Sequence, residues 1–239
     1  MAGIHVALSG AVAQEKLLET TALNLANAST VGYQRLRPVF REVLQRSGPK
    51  SGCRLATVSG TALDSTAGAT EKTGRPLDAA LPAGTYLAVQ TPRGERYTRA
   101  AALKVGKDGF LETVGGARVL GEGGKPIKVD AGEPSLTAAG EVVVGGETVG
   151  RLRLVSFATP VALTPEGGAL LAATQASGLA SVAKEATLEV GALEQSNAPV
   201  VSAMTDLVTA QRSFDAFQRA IDAFREIDRR VVTTVPGAT

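Results

Sequence analysis

Residues 200–231 read VVSAMTDLVTAQRSFDAFQRAIDAFREIDRRV, and the spacing of their apolar side chains decides the fold. Val200, Leu207, Phe214 and Ile221 recur every seven residues, and Ala203, Ala210, Phe217, Phe224 and Val231 form a second series three positions behind. Together they make an a/d seam over more than four heptads, broken only by Asp228. A helix with one narrow apolar seam cannot bury it alone, so a partner helix is required. At the other end of the chain, Ile4, Leu8, Ala11, Leu18, Ala22 and Leu25 make a shorter stripe of the same kind, with Glu15 as the gap.

Between these ends the pattern is of strands and turns. The first helix is expected from about Ile4 to Ala28, with Asn24, Asn27 and Gly32 marking its stop and the turn after it. Tyr33 to Arg37 reads as extended and Val39 to Gln45 as a further helical turn or two. A Ser-, Gly- and Thr-rich segment over 46–75 reads as a linker or extended β segment. From Pro76 onward, Leu87 to Gln90, a Thr91-Pro92-Arg93-Gly94 turn and Arg96 to Arg99 predict a hairpin. Short strands punctuated by Asp108-Gly109, Gly115-Gly116, Gly123-Gly124 and Gly145-Gly146 then predict an antiparallel β domain. Ala158 to Ser177 reads as an irregular return path, and Ala183 to Leu193 as the start of the C-terminal helical region. Asn197 or Ser196 is the candidate cap of the long helix. The fold class is therefore α+β: terminal helices paired in a coiled-coil-like manner, with an inserted small antiparallel β domain. The segments are 1–45 (N-terminal helix), 46–75, 76–180 (β domain) and 181–239 (C-terminal helix).

Composition argues against most chemistry. Twenty-five basic and 23 acidic residues leave a net charge of +2, too little for a polyelectrolyte partner such as nucleic acid. The charges of the last helix alternate, Arg212, Arg219, Arg225, Arg229 and Arg230 against Asp206, Asp215, Asp222, Glu226 and Asp228, which makes a solvated or partner-facing flank. Cys53 is the only cysteine, so neither a disulfide framework nor a cysteine zinc site is available. His5 is the only histidine and sits on the N-terminal stripe helix, a poor place for a general base. The glycines of Gly121-Glu122-Gly123-Gly124-Lys125 lack the Walker spacing and read as a turn. No metal, cofactor or small-molecule substrate is expected. No apolar run reaches membrane-spanning length and the N-terminus lacks a Sec leader, so the chain is expected to be soluble and to be exported, if at all, uncleaved.

Several blocks of residues carry a family resemblance. Ala7-Leu8-Ser9-Gly10, Asn24-Leu25-Ala26-Asn27 and Thr30-Val31-Gly32-Tyr33 form the first block. Gly191-Ala192-Leu193-Glu194-Gln195-Ser196-Asn197, with Met204, Leu207, Gln211-Arg212 and Phe214, forms the last. Between them stand Thr73-Gly74-Arg75-Pro76-Leu77-Asp78, Val89-Gln90-Thr91-Pro92, Arg96-Tyr97-Thr98-Arg99 and Leu120 to Ile127. In this order the blocks resemble the flagellar rod and hook axial proteins. Ala83-Gly84-Thr85-Tyr86 and Arg99-Ala100-Ala101 depart from the usual pattern.

The resemblance implies a structural subunit whose terminal helices pair and pack along a common axis into the wall of a helical tube, with the β domain projecting outward. Its interface would be carried by Ile4, Leu8, Ala11, Leu18, Asn24, Leu25, Asn27 and Gly32 at one end. At the other end it would be carried by Met204, Leu207, Gln211, Phe214, Phe217, Ile221 and Phe224. The implied partners are further copies in the rod, other rod and hook-basal-body proteins, and the flagellar export apparatus. The short length and single β domain suit a proximal-rod member better than a distal-rod or hook member. The alternative from a different class is a β-domain binding module or enzyme that dimerises through its helices. A buried acid–base pair in the β domain would favour that alternative, and none is legible in the sequence.

Overall fold

The computed structural model describes residues 2–46, 52–129, 132–183 and 185–234. They fall into two compact units: residues 1–25, 36–61 and 200–239 in the first, residues 26–35 and 62–199 in the second.

The first unit holds both long helices. Helix α1 spans Ala2–Ala26 and helix α2 spans Val200–Thr234. Two long strands, β1 (Leu36–Arg46) and β2 (Gly52–Leu63), form a two-stranded sheet with each other. Strand β1 replaces the helical turns expected over Val39 to Gln45. Its apolar residues Val39, Phe40, Val43 and Leu44 are spaced by one and four positions, which suits one face of a helix. In a strand the same spacing puts apolar groups on both faces, and all four are exposed. Cys53 falls in β2, and its side chain lies outside the described ones.

The second unit is built of short antiparallel strands. After β3 (Thr70–Lys72) and β4 (Ala79–Ala80), its centre is the hairpin of β5 (Thr85–Thr91) and β6 (Gly94–Thr98). Thr91 faces Gly94 in the register, which leaves Pro92-Arg93 as a two-residue turn. Gly94 takes a φ of 99°, open to glycine at little cost. Strand β5 also pairs with Arg118–Val119 and with Leu154–Ser156, so it is buried from Thr85 to Val89. On the far side, β6 pairs with Leu170–Ala172, which pairs with Thr164–Pro165. The return path expected to be irregular thus contributes two strands to the main sheet. A separate three-stranded sheet joins Pro134–Leu136, Glu141–Val144 and Glu147–Arg151.

The core of this unit contains Leu87, Val89, Leu103, Leu111, Val119, Ile127, Val142, Leu152 and Leu154, with no aromatic residue. Small and branched aliphatic side chains fill it. Aromatics gather separately, where Phe157 meets the edges of Tyr97 and Tyr86 with centroids 4.8 and 5.8 Å apart.

The segment before α2 is also extended. Glu189–Val190 pairs with β4 and Ala192–Glu194 with β3. The helical start expected over Ala183 to Leu193 is therefore wrong, and α2 begins only at Val200. Apolar spacing in that stretch is set by strand partners more than a hundred residues away, which a local periodicity cannot reveal.

Candidate functional site

Two arrangements of family-motif residues stand out: the faces of the two helices, and a hydrogen-bonded junction in the second unit.

On α2 both heptad series face inward through the middle of the helix. Ala203, Ala210 and Ile221 are buried, and Leu207, Phe214 and Phe217 are half-buried. The ends of the seam open, with Val200 and Phe224 exposed, and Met204 and Gln211 lie on the outer face. On α1 one expected series, Ile4, Ala11, Leu18 and Leu25, is half-buried or buried. The other is displaced by one residue. Ala7, Gln14 and Thr21 turn inward where Leu8 and Ala22, with Glu15 as the gap between them, were expected, and Leu8 is 53% exposed. Small side chains allow this: Ala7, Ala11 and Ile221 form one cluster with Ile4, Phe214, Phe217 and Ala220. A Cβ on Gly10 would lie 2.4 Å from the Phe217 ring, so glycine is what lets the ring lie against α1. Placing Leu8 in the seam instead of Ala7 would bring three more carbons into that space.

Asn24 and Asn27 serve the chain's own backbone. The Asn24 side chain accepts from Leu36 N and donates to Leu36 O, both at 2.8 Å, as a paired strand would. Asn27 O accepts Thr30 N at 3.0 Å, closing the turn that ends α1.

Gly32 opens the junction. Its φ of 66° suits glycine, and a Cβ there would meet Ala100 N at 2.3 Å. Gly32 N donates to Glu194 O at 2.8 Å, and Asn197 N donates to Tyr33 O at 3.2 Å. The Asn197 side chain accepts from Arg35 N at 2.6 Å and donates to Asp64 O at 2.9 Å and Thr66 O at 2.8 Å. That replaces its expected role as helix cap; Ser196 Oγ accepts from Ala198 N at 3.1 Å. Asp64 N donates to Arg35 O at 2.9 Å, and Arg35 Nε to Asp64 Oδ2 at 2.7 Å. Burial works to raise the Asp64 pKa, but hydrogen bonds from Arg35 and Thr66 outweigh it and hold the carboxyl down to about 2. Burial pushes the neighbouring Tyr33 phenol up to about 12.

Beneath this junction lies an ion pair that sequence reasoning missed. Arg99 is 1% exposed and Glu194 3% exposed. Nε and Nη2 of Arg99 donate to Glu194 Oε2, Nη2 donates also to Leu81 O, and Nη1 donates to Pro82 O and Thr85 O. Glu194 Oε1 accepts Gly68 N at 2.9 Å. Both residues stand in the quoted motif blocks, but they are 95 positions apart and nothing local marks them as partners. This is a buried charge pair in the β region, the feature that would have favoured a catalytic reading. Its chemistry argues otherwise: a guanidinium does not exchange protons near neutrality, and its donors are engaged. Neither side chain lines any cleft described.

Other candidates gather no reactive set. His5 is exposed on α1. A cleft of about 270 Å³ is lined by Thr91, Arg93, Arg96 and Glu166, but Arg96 and Glu166 grip each other at 2.8 and 2.9 Å. Among the described residues no group of three His, Cys, Asp or Glu is placed to hold a metal, and no helix is long and apolar enough to cross a membrane.

The groups brought together are thus helix faces and backbone junctions, the makings of a structural protein. Comparison with known proteins agrees. Residues 4–34 match the family described as flagella basal body rod protein, and residues 189–234 the flagellar basal body rod FlgEFG protein C-terminal family. The chain is 35% identical to the flagellar basal-body rod protein FlgF of Escherichia coli over 92% of each chain. It is 30% identical to FlgF of Mesorhizobium japonicum over 89% of this chain and 88% of that one. It is likewise 30% identical to the flagellar basal-body rod protein FlgG of Bacillus subtilis, over 96% and 97% respectively. The chain belongs to the flagellar basal-body rod protein family. It is a structural rod subunit of the basal body, in a family whose named members are structural proteins and not enzymes.

Proposed function

We propose that this rod subunit polymerises through its terminal helices, each offering one face to its own partner helix and another to neighbouring copies. The inner faces pair in a coiled-coil-like manner. The observation that carries the reading is the apolar surface left outside. Leu8 and Val12 are exposed four positions apart on α1, and Val201, Met204 and Val208 are exposed at spacings of three and four on α2. A contact between different patches of identical subunits does not close on itself and propagates as an open helical assembly. The other rod and hook-basal-body proteins would meet the same faces at either end of the run. Export through the flagellar apparatus fits a chain with a lone cysteine and no internal disulfide to form. Similarity to FlgF proteins at up to 35% identity favours the proximal-rod position over the distal one. The chain's work is then mechanical: it carries torque through helix packing and has no cofactor or substrate.

The test replaces Met204 or Val208 with Asp. These side chains are outside the chain's own packing, so the isolated protein should keep its circular dichroism spectrum and melting curve. In a strain lacking the native copy, either variant should be exported yet absent from purified basal bodies, with motility lost. Normal rods built from both variants would remove the outer face of α2 from the interface.

A further inference from the structure

We propose that the junction between Gly32–Arg35 and Glu194–Asn197 is a latch that holds both helix connections at one place on the β unit, with Asn197 as its positioning residue. The proposal rests on the rod reading above and adds what makes the subunit competent to assemble.

The geometry is that of a clamp rather than a passing contact. Two stretches 162 positions apart in sequence meet through main-chain bonds at both ends, Gly32 N to Glu194 O and Asn197 N to Tyr33 O. A third stretch, Asp64 to Ala69, is bound into the same place: Asn197 Nδ2 donates to Asp64 O and Thr66 O, Gly68 N reaches Glu194 Oε1, and Gln195 N reaches Ala69 O. Gly68 has no room for a side chain, since a Cβ there would sit 1.9 Å from Gln195 O. The Asn197 side chain bonds both of the other stretches, using its amide as both acceptor and double donor. No other side chain type of this size offers one acceptor and two donors in that fork.

Position along the chain gives the latch its consequence. Helix α1 ends at Ala26, six residues before Gly32, and α2 begins at Val200, three residues after Asn197. Closing the latch therefore fixes two points from which the helical segments depart, and limits how far one can slide past the other. Seams built on small residues such as Ala7, Ala11, Ala203 and Ala210 specify axial register weakly by themselves, because neighbouring small side chains are nearly equivalent. A latch near both helix connections adds to the register that the fit of Phe217 against Gly10 gives the seam. Closing it also requires the β unit to be folded, so an unfolded chain does not present paired helices to the growing rod.

The experiment uses the full chain. Hydrogen exchange is read at the amides of Arg35 and Gly32, with Leu111 and Ile127, which are bonded inside the β core, as controls. Asn197→Ala should speed Arg35 exchange by about tenfold or more, as expected for losing several net bonds, and leave the controls at wild-type rates. The same variant should be exported but poorly incorporated into basal bodies. Asn197→Asp keeps the acceptor for Arg35 N and loses the donors to Asp64 O and Thr66 O; it should restore much of the Arg35 protection. If Asn197→Ala disturbs the whole unit, the comparison of Asn197→Asp with wild type decides. Unchanged Arg35 exchange in Asn197→Ala overturns the latch. An opened latch with full incorporation into rods overturns its positioning role. A wild-type chain missing from basal bodies would instead strike at the rod reading, and the exchange result would be unaffected.

Discussion

Arg99 and Glu194 show how much a single pair governs here. A buried ion pair contributes little net stability over an apolar pair of equal size, because desolvation of both charges offsets their attraction. Removing one partner is a different matter. Glu194→Gln keeps the shape and leaves the Arg99 guanidinium buried without its counter-charge. It should lower the unfolding free energy of the β unit by about 3–5 kcal/mol, measured by denaturant titration. A loss below about 1 kcal/mol would mean that water reaches the pair. Asp64 gives a second prediction, in pH. Its folded pKa, about 2, lies below its unfolded value of 3.8, so the folded state holds its proton less tightly. The stability this adds is fully present above pH 4 and is lost as pH falls from about 4 to 2. At full extent it is about 2 kcal/mol by linkage. Asp64→Asn should remove that acid-side slope and lower stability at pH 7. A slope that persists in the variant would assign the acid sensitivity to other carboxylates.

The helices are where the sequence was most legible and also where it misled by one residue. The α2 seam from Ala203 to Ile221 was readable because large side chains recur every seven positions. On α1 the spacing fits two adjacent stripes, and size favoured Leu8 over Ala7. The structure chooses Ala7 because Phe217 fills the space opposite, a fact held on another helix. Strand β1 was misread for a similar reason: a spacing of four is common to a helix face and to the alternate residues of a strand. Strand pairs such as Ala192–Glu194 with β3, and the junction at Asn197, depend on partners far off in sequence, so their motif residues were recognisable but their bonds were not. Gly10 offers the test at this scale. Gly10→Ala should raise the intrinsic helicity of α1 by about 1 kcal/mol while driving a methyl into the Phe217 ring. The two effects have opposite signs in different measurements. Helix content of a peptide spanning α1 should rise, whereas incorporation of the full chain into rods should fall. Adding Phe217→Leu should recover part of the incorporation. A Gly10→Ala chain that assembles as well as wild type would show that α1 and Phe217 do not meet in the rod.

For the whole molecule, the two units differ sharply in how their order is maintained. The β unit has 16 buried apolar residues in one core, against three in the helix cluster, among the described residues. The helices nonetheless run to 25 and 35 residues. Ordering a residue costs about 1–2 kcal/mol of backbone entropy, which helical hydrogen bonds only roughly offset in water. Burying Ala7, Ala11 and Ile221 adds a few kcal/mol at most, about 25 cal/mol per Å² of apolar surface. In the isolated subunit the helical unit should therefore open often while the β unit stays closed, and burial of the outer faces by neighbours should reverse this. Trypsin makes the difference visible, because both units carry basic residues. In the isolated chain, cleavage should come early at Lys16, Arg212, Arg219 and Arg225, and late at Arg96, Arg99 and Arg153. The resistant core should retain Ala62 to Asn197 together with Gly32 to Arg35, since the junction ties those segments to one another. In purified basal bodies the helix sites should become resistant as well. Early cutting at Arg99 would mean that the β unit is not the stable part. Equal resistance of α1 and α2 in the isolated chain would mean that the helices need no neighbours to be ordered, and would remove the energetic reason for assembly through them.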